Sequence, residues 1–147
     1  AGLPVPGALV MISPVLDATF SGDSVRRNDG LDPLFRASVF AALAADYVPA
    51  DRRLDPCVSP LFADHTGLPP SLVLVGSSEL LLDDAVRFAT RARDVTLEVW
   101  HGMPHVFPAM HGLPEAEAAV RSMAAFIGRH ARPAVAANTS VTREGRC

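Results

Sequence analysis

The chain has 147 residues, enough for one globular unit, and 49% of them are apolar, as in an ordinary globular domain. Thirteen Lys and Arg against sixteen Asp and Glu leave a net charge of −3, without the clustered basic footprint of a nucleic-acid binder. The longest apolar runs are about six residues, far short of the roughly 18 that a membrane span needs. No charged segment followed by an apolar core marks a signal peptide, so a cytoplasmic location is expected.

Residues 7–13 (GALVMIS) form a continuous apolar run closed by Pro14, the pattern of a parallel strand buried on both faces. Residues 15–68 then make a long excursion rich in Pro, Asp and Gly, too long for a plain crossover and suited to shaping a substrate pocket. Inside it, Phe35, Val39 and Leu43 are spaced for one side of a helix over residues 35–47. Residues 71–76 (SLVLVG), entered through Gly67-Leu68-Pro69-Pro70, predict a second buried strand. Ala85, Phe88, Ala89 and Ala92 recur at helical spacing, with Asp83 and Asp84 in the first turn and Arg91 and Arg93 in the last, matching the helix dipole. Residues 95–100 (VTLEVW) alternate Leu97 and Val99 against Thr96 and Glu98, as a strand near a sheet edge does. Pro114 suits the first position of a final helix whose apolar face is expected to be Ala116, Ala119, Val120, Met123 and Ile127. Residues 131–147 lack periodicity and are expected to be a flexible tail. The fold class is therefore α/β, with about three mostly parallel strands and flanking helices. The first strand enters without room for earlier neighbours, so sequence upstream of Ala1 is expected to complete the sheet.

In a parallel sheet the strand ends open onto one crevice. Glu79 lies three residues past Gly76, and His105 lies five past Trp100. An acid and then a histidine, each after a strand, are the last two members of a serine–acid–histidine triad. Glu79 is the first candidate acid; Asp83 is the reserve, although it and Asp84 also suit a helix start as dipole partners. His65, His101, His111 and His130 read as loop or helix-end residues. No pair of histidines at metal-ligand spacing shares a helix with a carboxylate, and Cys57 and Cys147 read as isolated thiols. No serine lies in a G-x-S-x-G elbow: Gly22-Asp23-Ser24-Val25-Arg26 ends in Arg, and Ser77 and Ser78 lack the second Gly.

Five phrases give these features a common setting. They are Ile12-Ser13-Pro14-Val15-Leu16-Asp17, Asp55-Pro56-Cys57-Val58-Ser59-Pro60-Leu61, Gly67-Leu68-Pro69-Pro70, the stretch from Gly76 to Asp84, and Met103-Pro104-His105-Val106-Phe107. Together they resemble the hormone-sensitive-lipase-type branch of the α/β-hydrolases, the fold-3 esterases, over residues 7–127. The resemblance implies that residues 1–130 are the C-terminal half of an α/β-hydrolase fold, with the oxyanion loop and nucleophile elbow upstream. It implies hydrolysis of a small acyl ester, with His105 as base and Glu79 as acid, and no cofactor or metal. Many members carry Asp-Pro-Leu where this chain has Glu79-Leu80-Leu81, which keeps Asp83 in reserve. Val106 and Phe107 would border the acyl pocket, with Phe35 and Phe40 as contributors, and Asp55-Pro56 with Ser59-Pro60-Leu61 would be a shaping loop. The resemblance also admits a homodimer of the full-length enzyme. By itself the chain is expected to be inactive. A truncated remnant without activity is the alternative, and an acyltransferase or a small-molecule receptor on the same scaffold is a third reading.

Overall fold

In the computed structural model, which describes residues 5–130, the three apolar runs form one parallel sheet in the order β1-β2-β3. The strands are β1 (Leu9–Ile12), β2 (Ser71–Gly76) and β3 (Val95–Trp100). The expected tail over residues 131–147, with Cys147, lies outside the described residues. Leu9 stands opposite Ser71, and Ser71 opposite Val95, so the strands start level. Gly76 pairs with Trp100 at the far end, which brings the tips of β2 and β3 together.

β2 is buried along its whole length because both of its faces are covered. Val73 and Val75 point toward Leu16, Leu61, Ala85 and Phe88, the last two from helix α3 (Leu82–Arg91). Leu72 and Leu74 point the other way, toward Phe107 and toward Ala119 and Phe126 of helix α4 (Pro114–His130). The period of two in a strand thus sorts its side chains between two helical layers. Each fully buried Val, Leu or Phe contributes about 1.5–3 kcal/mol of transfer free energy. β3 is only partly buried, as expected of a strand near a sheet edge, but the expected alternation breaks at its end. Leu97 is partly buried, whereas Val99 is exposed and Glu98 is drawn in to accept from Trp100 and Ser122.

Two helical faces differ from expectation. α4 turns Ala116, Ala119 and Phe126 inward and leaves Val120 and Ile127 half exposed. The stripe is 116, 119, 123, 126, one residue short of Ile127, because the large Phe126 ring fills the space under β2. Helix α2 (Ala37–Tyr47) buries Phe40 and Ala44, whereas Val39 and Leu43 are exposed. Phe35 precedes this helix, so its ring is not in register with Val39 and Leu43; it stacks on Phe40, which stacks in turn on Phe20.

Helix α1 (Ser24–Arg27) is a single turn that the sequence pattern does not announce. Its Ser24 is buried and makes a reciprocal cap on α3: the Ser24 hydroxyl accepts the Asp83 amide at 3.0 Å, and the Asp83 carboxylate accepts the Ser24 amide at 2.9 Å. Asp84, expected as a plain dipole partner, is instead buried and accepts the amides of Leu16 and Asp17 at 2.9 and 3.0 Å. Asp17, fully buried, takes hydrogen bonds from Thr19, Ser21 and Arg87. These contacts stitch the chain leaving β1 to α3.

Candidate active site

Gly76 ends β2 where the histidine loop crosses it. A Cβ at this position would lie 2.0 Å from the Met103 carbonyl oxygen, so only glycine lets the two backbones approach. The chain then turns, and the side chain of Glu79 folds back over the strand tip. Its Oε1 accepts the Gly76 amide at 2.5 Å and the Ser13 hydroxyl at 2.8 Å, and its Oε2 lies 3.0 Å from His105 Nδ1. Glu79 is fully buried, so these three donors replace the water that a carboxylate requires. Asn28 holds the backbone of the same turn, donating to the carbonyls of Ser77 at 3.0 Å and Glu79 at 2.8 Å.

A carboxylate offers only acceptors, so Nδ1 carries the proton and Nε2 is left as the basic nitrogen. The His105 side chain is 17% exposed against 1% for Glu79, so the imidazole reaches solvent while the carboxylate lies beneath it. The backbone is fixed from two further segments. The His105 amide donates to Asp32 Oδ2 at 2.9 Å, and the Val106 amide donates to Ser13 Oγ at 3.0 Å. The Phe35 ring meets the imidazole edge-on, with centroids 4.9 Å apart. Ser13 and Val106 both adopt left-handed backbone, with φ of 47° and 51°. Such conformations cost of order 1–3 kcal/mol each for residues other than glycine and persist where surrounding contacts hold them. The arrangement can take up a proton at Nε2 and stabilise the resulting imidazolium through Glu79.

Asp83 stands apart from this constellation. Its carboxylate faces α1, accepting from Ser24 and pairing with Arg27 at 3.2 Å. Phe107 does not border an opening: it is fully buried in the cluster beneath β2, its ring 5.4 Å from that of Trp100. A one-turn 3-10 helix over Phe107–Ala109 drives the Phe107 side chain into the α4 layer, whereas Val106 is only partly buried. Phe40 lines an apolar cavity of about 340 Å³ together with Val15, Ala18, Phe20, Leu43 and Tyr47. Phe35 connects that cavity's wall to His105 through its stacks. His65 binds the Pro60 carbonyl, His130 packs on Phe126, and His101 and His111 are exposed in loops. Among the described residues, no three His, Cys, Asp or Glu side chains gather to hold a metal ion. Ser13, Asn28 and Asp32 belong to the site but were not singled out as site residues from sequence. Only Ser13 carried a signal, since it sits in the Ser-Pro phrase at the first strand's end.

Parallel strands with helices on both faces and an acid–histidine pair at the strand tips define an α/β-hydrolase architecture. A sequence model described as alpha/beta hydrolase fold matches residues 1–109. The chain belongs to the α/β-hydrolase family, in its hormone-sensitive-lipase-type branch. It is 39% identical to an esterase of Acinetobacter venetianus, over 83% of this chain and 42% of that protein. An acetyl-hydrolase of Streptomyces hygroscopicus is 36% identical over 86% of this chain and 44% of its own length. Among solved structures, an esterase from the bacterial hormone-sensitive lipase family superposes with a TM-score of 0.84 at 40% identity. That match covers 88% of this chain and 45% of the other. The chain therefore spans less than half the length of the relatives it matches.

Proposed function

We propose that this chain supplies the acid and the base of a serine carboxylester hydrolase. Residues 1–130 would form the C-terminal part of the catalytic domain, and the nucleophilic serine would come from sequence outside these 147 residues. His105 would take the serine proton at Nε2 as the hydroxyl attacks the acyl carbon, and return it to the departing alcohol. Water would then be activated by the same nitrogen to release the acid. Glu79 would hold the imidazole in the Nδ1–H tautomer and offset its positive charge. The substrate class is a small acyl ester, in keeping with relatives named esterase and acetyl-hydrolase. The observation that carries this reading is the 3.0 Å contact between Glu79 Oε2 and His105 Nδ1 at the tips of adjacent strands. Glu79 is favoured over Asp83 because the Asp83 carboxylate is engaged by α1.

The test is a chimera in which this chain replaces the matching part of the Acinetobacter venetianus esterase, assayed on p-nitrophenyl acetate and butyrate. The chimera is expected to hydrolyse both, and His105→Ala to lower kcat/KM by about 10³-fold or more. Glu79→Gln is expected to cost roughly 10²–10⁴-fold, whereas Asp83→Asn stays within about fivefold. The isolated chain should show no acyl-enzyme burst. Retention of activity by the His105→Ala chimera would overturn the assignment, and a folded but inactive chimera would favour a remnant without catalysis.

A further inference from the structure

We propose that Ser13 is a positioning residue of this site, its hydroxyl tying the carboxylate of Glu79 to the backbone beside His105. The inference rests on the reading of Glu79 and His105 as acid and base. The direction of each hydrogen bond is fixed by chemistry. The Val106 amide can only donate, so Ser13 Oγ accepts it at 3.0 Å. The single hydroxyl proton then goes to Glu79 Oε1 at 2.8 Å. Ser13 is buried, and its own amide donates to the Leu74 carbonyl at 2.8 Å, which pins it to the tip of β1 against β2. One side chain therefore spans three strand ends: it leaves β1, grips the acid after β2 and holds the loop after β3.

Backbone geometry separates this role from a structural one. With φ at 47°, Ser13 occupies a region that costs a serine and suits glycine. If the position served only to end β1, Ser13→Gly would relieve strain and leave the site unharmed. If the hydroxyl orients Glu79, the same change keeps the turn and removes the tether. Ser13→Ala, which retains Cβ, gives a second view of the hydroxyl.

In the chimera, Ser13→Gly and Ser13→Ala are each expected to lower kcat about 10–100-fold, the range for one hydrogen bond to a charged group, with KM within about threefold. In a Glu79→Ala background, which removes the acceptor, Ser13→Gly should lower kcat by clearly less than it does with Glu79 present, since only the Val106 contact is then left to lose. In the 147-residue chain itself, nitrogen-15 spectra of the imidazole should show Ser13→Gly moving part of His105 from the Nδ1–H to the Nε2–H tautomer. Wild-type kcat in both variants, or equal losses with and without Glu79, would overturn the role of Ser13 while leaving the acid–base reading in place. An active His105→Ala chimera would instead remove the reading on which it rests.

Discussion

Asp84 accepts the Leu16 and Asp17 amides from a site that is 1% exposed, and burial pushes its carboxyl up to about 6, only partly offset by those amides. The neighbouring Asp17 goes the other way: burial raises it, but hydrogen bonds from Ser21, Thr19 and Arg87 outweigh that and hold it below the usual range. The signs give opposite pH responses. Between the ordinary value of 3.8 and about 6, folded Asp84 keeps a proton that the unfolded chain has released, so its contribution falls as pH rises through that window. The shift corresponds to about 3 kcal/mol at its full extent. Asp17 contributes stability above its unfolded value and loses it as pH falls below about 4. Asp84→Asn keeps an oxygen acceptor and removes the titration. Urea midpoints measured from pH 4 to 7 are expected to decline in the wild-type chain and to flatten in the variant. Identical slopes for the two proteins would refute the burial-driven shift.

The tips of the strands carry both fold and site, which makes Gly76 the most exacting position in β2. Ala at 76 would set a methyl carbon 2.0 Å from the Met103 carbonyl, a backbone atom with no freedom to rotate away. Gly76→Ala is expected to cost about 2–4 kcal/mol and to separate the His105 loop from Glu79. A urea midpoint unchanged from wild type would show that the loop yields. The elements themselves were largely legible. β2 and β3 begin and end at the predicted residues because short apolar runs between Pro, Gly and Asp leave little choice of boundary. The inward faces of α2 and α4 were less so, since both helices offer several apolar residues and tertiary packing chose Phe40 and Phe126 over Leu43 and Ile127. The residue types at Glu79 and His105 stood out because each follows a strand. Asp32 did not, because its partner lies 73 residues away, and Ser13 showed only through the Ser-Pro phrase that ends β1, with nothing local linking it to Glu79 66 residues on. Phe107 was misplaced toward a pocket because sequence cannot show which way a one-turn helix faces.

Across the whole molecule, β1 pairs on only one side among the described residues, and apolar side chains at Val120, Ile127, Leu43 and Tyr47 remain exposed. An open strand edge with adjacent apolar surface favours association. The isolated chain is expected to show a light-scattering mass that climbs above 15.6 kDa with concentration, whereas the chimera stays uniform and unfolds more sharply. A monodisperse 15.6 kDa species with a steep urea transition would contradict this. Trp100 offers a convenience for all of these measurements. It is the sole indole in the sequence, it closes β3 five residues before His105, and its ring lies 5.4 Å from that of Phe107. Emission excited selectively at the indole, which leaves Tyr47 dark, therefore comes from one spot beside the loop that carries the imidazole. A change in its wavelength or quenching reports whether that loop is seated, with no dye or label attached.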